Sequence, residues 1–156
     1  MMENLELKKQ EPEHLTLNRI VLTIVFVIIS LIILGFFILT PMPLLYYAYI
    51  NLGVWTFYTL LFFYIGAAYR HFSYAMNEHG LYINRGVFWR KKIVVPRNRV
   101  QHTDVTQGPL ERKFELSELI VHTAGTRNAS VRLPGILFKD AEILRESLSF
   151  EESDDV

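Results

Sequence analysis

From Ile20 to Tyr69 the chain runs for fifty residues without an Asp, Glu, Lys, Arg or His. No soluble fold is built on such a stretch. An apolar helix rising ~1.5 Å per residue crosses a ~30 Å hydrocarbon core in about 20 residues, so the run suffices for two crossings and a turn. The turn is marked by Thr40-Pro41-Met42-Pro43, because two closely spaced prolines remove backbone donors and push the preceding residues out of helix. The expectation is a membrane α-helical hairpin over 20–69, with transmembrane helices at 20–39 and 44–69.

The flanks orient it. Lys8, Lys9 and Arg19 precede the first span, Arg70 and His71 follow the second, and the turn carries no charge. Positive residues beside short spans stay cytoplasmic, so both termini are expected inside a cell (inner) membrane crossed twice. Tyr46, Tyr47 and Tyr49 then fall at the outer interface and Tyr64 and Tyr69 at the inner one, where a ring with a polar tip is well placed. A cleaved secretory signal is disfavoured: its apolar core is normally 7–15 residues long, and this run is longer and leads into a second span. Residues 1–19, with Glu3, Glu6, Glu11, Glu13 and Pro12, read as a mobile, solvated cytoplasmic leader.

Along the second span Ala48, Asn51, Trp55, Thr59, Phe62 and Gly66 recur at three- and four-residue spacing and share one helical face. An unpaired amide is costly in lipid and small residues let helices approach, which makes this stripe the expected packing seam. Asn51 should reach the depth of Ile32, one turn from Ser30. The helix-packing candidates are therefore Ser30, Ala48, Asn51 and Trp55. A substrate path is the weaker reading, since a lone Asn without an ionisable partner is a poor relay.

Beyond Arg70 the periodicity changes to that of strands. Strands are expected at 71–77, 81–84, 87–95, 100–107, 117–124 and 129–133, with turns at Glu78-His79-Gly80, Asn84-Arg85-Gly86, Pro96–Arg99 and Gly125–Asn128. Pro109 suits the first turn of a short helix carrying Leu110 and Phe114 on one face. Asp140 is a good N-cap for a last helix that sets Ala141, Leu144 and Leu148 on its apolar side. Residues 70–150 form one small domain, and 151–156 an acidic, disordered tail. The formal net charge of zero hides an asymmetry: 70–150 carry thirteen Lys/Arg against eight Asp/Glu, offset by acidic ends. The order is a strand-rich sheet closed by one helix, hence a small all-β barrel or curled sheet with a helix plugging an open end.

Three segments carry a family resemblance: Arg99-Val100-Gln101-His102-Thr103-Asp104-Val105; Gln107-Gly108-Pro109-Leu110-Glu111-Arg112 with Phe114; and Leu119-Ile120-Val121-His122-Thr123-Ala124-Gly125. They resemble the core of the bacterial PH-like domain family known as bPH2 or DUF304, and two spans ahead of one such domain resemble the YdbS-like type of membrane protein. The resemblance implies a PH-like barrel with a C-terminal capping helix, cytoplasmic placement, and a membrane protein partner with related PH-like domains, or self-association. It brings no biochemical activity to these positions. Six strands are counted where a PH barrel usually has seven.

The basic residues Arg85, Arg90, Lys91, Lys92, Arg97 and Arg99 are the lipid- or anion-binding candidates, since clustered cations near a membrane attract anionic headgroups by about 1 kcal/mol each. The competing reading is a solvated face that also enforces topology. His102 and Asp104, two apart on one strand, share a face as an oriented general base would. With no Cys in the chain, no adjacent nucleophile and no metalloprotease or nucleophile-elbow motif, they read as structural. Gly108-Pro109 and Pro134-Gly135 lack the repeated glycines of a phosphate cradle. Nucleic acid is disfavoured because Phe88 and Trp89 are the only aromatics beside the basic run. No catalytic residue, metal site or cofactor is expected. The sequence points to a non-enzymatic, membrane-anchored adaptor or scaffold that binds a protein partner or assembles an envelope complex. An anionic lipid-headgroup sensor is the alternative, and a membrane enzyme using His102 and Asp104 a distant one.

Overall fold

The computed structural model describes residues 7–40, 43–124 and 130–149 of the chain. The Pro41-Met42 turn, the Gly125–Asn128 turn and the acidic tail lie outside the described residues. Two compact units emerge, one of residues 15–67 and one of the described residues on either side of it.

The first unit is the helical hairpin. Helix α1 covers Pro12–Leu39 and α2 Leu44–Arg70, and both are long and apolar enough to cross a membrane. The helix begins eight residues before the uncharged run, because Pro12 fits the first helical turn and Glu13 complements its dipole. Large apolar side chains such as Leu31, Ile38, Leu52, Leu60 and Phe63 stand more than half exposed, as they do on a helix solvated by lipid.

The two helices meet along a ladder of rings. Phe37 packs on Tyr47 with centroids 4.9 Å apart, and Phe26 meets Tyr58 edge-on at 5.4 Å. The hydroxyls of Thr23 and Tyr58 share a hydrogen bond of 3.0 Å, and the Arg19 guanidinium lies 4.2 Å from the centre of the Phe62 ring. The expected seam meets this contact in part. Asn51 donates to the carbonyl of Tyr47 in its own helix at 3.2 Å, while Ala48 and Trp55 are on the exposed side. Tyr47, Asn51, Val54, Tyr58, Phe62 and Gly66 are among the less exposed residues of α2, so Asn51, Phe62 and Gly66 of the expected stripe lie with them. Ser30 is half-buried, with no hydrogen-bond partner for its hydroxyl among the described residues.

The second unit holds six strands in two three-stranded antiparallel sheets. Sheet A has the order β1 (Ser73–Asn77), β2 (Gly80–Arg85), β3 (Lys91–Pro96), and sheet B the order β4 (Val100–Thr106), β5 (Leu116–Thr123), β6 (Ser130–Leu137). The short helix α3 (Pro109–Lys113) connects β4 to β5, and α4 (Phe138–Ser149) follows β6 directly. The expected small all-β unit with a C-terminal helix is present, as two sheets that no ladder joins among the described residues. They share one core: Leu81, Ile83 and Val95 from sheet A, Leu119, Val121, Leu133 and Ile136 from sheet B, and Ala141, Leu144 and Leu148 from α4. Asp140 sits inside the first turn of α4 rather than capping it.

Residues expected to form a free leader are part of this unit. Lys8 exchanges both backbone hydrogen bonds with Tyr74 at 2.8 Å, and the Glu11 amide donates to the Gly135 carbonyl at 2.8 Å. Gln10 is buried and its amide donates to the Pro134 carbonyl at 2.9 Å. A strap of four residues thus runs from the outer edge of β1 in sheet A to the outer edge of β6 in sheet B. Its landing point is a bulge in β6 at Gly135, whose φ of +73° favours glycine and where a Cβ would strike the His14 ring.

Candidate functional site: an aromatic and basic hairpin

Strand β2 ends at Arg85 and β3 begins at Lys91, so residues 86–90 form the connection. The expected strand 87–95 therefore loses its first four residues. Gly86 causes this: its φ is +112° and a Cβ there would collide with the Trp89 carbonyl, so the chain turns where an L side chain could not. Just past this turn stands the most exposed aromatic pair of the described residues. Phe88 is 78% and Trp89 83% accessible, with their rings in an edge contact at 6.5 Å.

Cations surround the two rings. Arg85 and Lys91 are register partners at the base of the loop, Asn84 pairs with Lys92, and Arg90 completes the set. All four cations are exposed, and no acidic residue occurs between Arg85 and Lys92. Two large rings held in water by a rigid hairpin, with four positive charges at their base, make a surface suited to an apolar layer beneath an anionic one. The register fixes its place. Ser73, the first residue of β1, pairs with Asn84, so the loop stands at the end of sheet A where the chain enters from Arg70.

Arg97 and Arg99 do not join this group. They lie in a 3-10 turn beyond the other end of β3, roughly 17 Å away along a six-residue strand. Arg97 instead lines a cavity of about 360 Å³ with Lys8, Tyr74, Asp140, Leu144 and Ser147. Burial, reinforced by Asp140 and Glu11, pushes the Tyr74 hydroxyl up to about 12. The six expected anion-binding residues are thus two sets, four at the hairpin and two at the opposite end. Sequence reasoning placed Phe88 and Trp89 in a strand and weighed them only against nucleic acid; the signal for an exposed loop was Gly86 followed by two aromatics inside the basic run.

His102 and Asp104 share a face of β4 as their spacing implies, but Asp104 bonds a different imidazole. Its carboxylate oxygen lies 3.2 Å from His122 Nε2, and the His102 ring stacks on His122 at 4.2 Å. The general-base pairing of His102 with Asp104 is therefore absent. Leu110, expected to anchor α3, is 53% exposed, and Phe114 at the end of that helix is half-buried.

The profile of a family described as bacterial PH domain matches residues 16–151. The chain is 33% identical over 99 residues to the UPF0699 transmembrane protein YdbS of Bacillus subtilis (strain 168), which covers 62% of this chain and 60% of that protein. It is also 30% identical over 108 residues to the UPF0699 transmembrane protein YdbT of the same organism, covering 66% of this chain but 21% of the much longer relative. No solved structure is a significant match. With the two apolar helices, the two sheets over one core and a profile match across most of its length, the chain belongs to the bacterial PH domain family.

Proposed function

We propose that this is a non-enzymatic adaptor of the cell membrane, crossing it twice with both termini cytoplasmic, whose PH-like domain is held flat on the anionic leaflet by the β2–β3 hairpin. The observation that carries this reading is the exposure of Phe88 and Trp89 between Arg85, Arg90, Lys91 and Lys92. Each cation near an anionic surface contributes about 1 kcal/mol, and each ring buries on the order of 150–250 Å² when it enters the interface. The spans already confine the domain to the bilayer, so even weak contacts act at high effective concentration. The hairpin sets how the domain is presented more than whether it is attached.

The test uses the whole chain with Trp55→Phe, which leaves Trp89 as its one tryptophan. In nanodiscs containing anionic lipid, Trp89 emission should shift to the blue and be quenched by lipids labelled near the headgroup; neutral nanodiscs or high salt should reverse both effects. Changing Arg85, Arg90, Lys91 and Lys92 to Gln should do the same. A Trp89 that stays water-accessible in anionic nanodiscs overturns the proposal.

A partner reading is favoured by one further observation: the stretch shared with the longer relative shows this module inside a larger membrane protein of the same family. The domain surface away from the hairpin is then free to dock on a membrane protein carrying related domains, or on a second copy. Co-expression with such a relative, followed by capture in mild detergent, should recover both chains.

A further inference from the structure

We propose that His102, Asp104 and His122 form a binding site for one divalent transition-metal ion of the zinc class. The site is made by strand register. His102 and His122 are direct partners across β4 and β5, and Asp104, two residues along β4, returns to the same face. One donor atom from each residue lies within 4.8 Å of the others. Two imidazoles and one carboxylate on adjacent strands are the donor set of a three-ligand site with an open fourth position.

The chemistry of the donors selects the ion. Imidazole nitrogen suits zinc, copper, nickel and cobalt, whereas magnesium and calcium prefer an all-oxygen shell. A tetrahedral zinc with Zn–N bonds of ~2.0–2.1 Å needs ligand atoms roughly 3.3 Å apart. The Asp104 to His122 separation of 3.2 Å already meets that. The stacked rings direct their lone pairs along parallel planes, so His102 must turn about its side-chain bonds to aim at the same point. It has room to do so, since His102 and Asp104 are exposed and His122 half-exposed. The fourth position opens to solvent, where a water or a donor from another protein completes the shell.

The test is zinc titration by calorimetry of the full chain in nanodiscs, free of any histidine tag. The parent should bind one Zn²⁺ per chain, and substituting Co²⁺ should give the visible absorption of a four- or five-coordinate ion rather than the faint spectrum of aqueous cobalt. His102→Ala and His122→Ala should each weaken binding roughly tenfold or more, and Asp104→Asn should weaken it less. His79→Ala, in the β1–β2 turn, should change nothing. Should His122→Ala fail to fold, Asp104→Asn and His102→Ala carry the comparison. Absence of saturable zinc binding, or equal binding by the parent and the His102→Ala/His122→Ala double variant, overturns the assignment.

Discussion

Tyr74 links the strap, β1 and α4, and its raised pKa makes that link measurable. In the unfolded chain a tyrosine hydroxyl titrates near 10.0, while in the fold Tyr74 holds its proton to about 12 because burial and the carboxylates of Asp140 and Glu11 disfavour the phenolate. Between those values the unfolded state binds fewer protons than the folded one, so stability is intact below pH 10 and falls as pH rises toward 12. Tyr74→Phe should flatten that slope in urea melts across the range. Gly86→Ala should cost about 1–3 kcal/mol or reshape the loop, read as lower exposure of Trp89 to acrylamide. Tyr58→Phe, which removes the cross-span hydrogen bond to Thr23, should weaken helix pairing by about 0.6 kcal/mol, where Asn51→Leu should have almost no effect on it. Asn51 drew notice in the sequence because it is the span's only amide, yet the rotational phase that puts Tyr58 at the interface is set by ring packing that spacing alone does not rank. His122 was equally hidden, since its meeting with His102 depends on a pairing register across α3.

Elements with strong periodicity were legible. The two spans, the hairpin turns at Gly80 and Gly86 and the apolar side of α4 follow from charge, glycine and spacing. The start of β3 was not, because Val87, Phe88 and Trp89 have high strand propensity and a single positive-φ glycine overrides all three. The strap was not either: Lys8–Glu11 is polar and, apart from the Gln10 side-chain amide, holds its place through backbone groups that any sequence carries. Shortening the chain to begin at Pro12 should therefore destabilise the domain, uncovering the edges of β1 and β6 and lowering its thermal midpoint, although the removed residues look like a tail. Within the core, Leu116→Ala should cost about 2–5 kcal/mol, since Leu116 is fully buried. Leu110→Ala on exposed α3 should stay within about 0.5 kcal/mol, judged by the same melts.

At the scale of the whole molecule, the strap constrains topology independently of the positive flanks. Residues before α1 and after α2 belong to one compact unit, the arrangement expected if both lie on the same side of the membrane. A cytoplasm-active reporter placed after Val156 should be on and one placed at Met42 off. The strap also imposes an order on synthesis. Residues 8–11 leave the ribosome before the apolar helices, yet their partners at 74 and 134–135 emerge only after both, so this segment must wait for the rest of the domain. Docking of the strap thus completes the domain only after both helices have been made. A chain stalled before that point carries two unpaired strand edges, open to any other strand that arrives first.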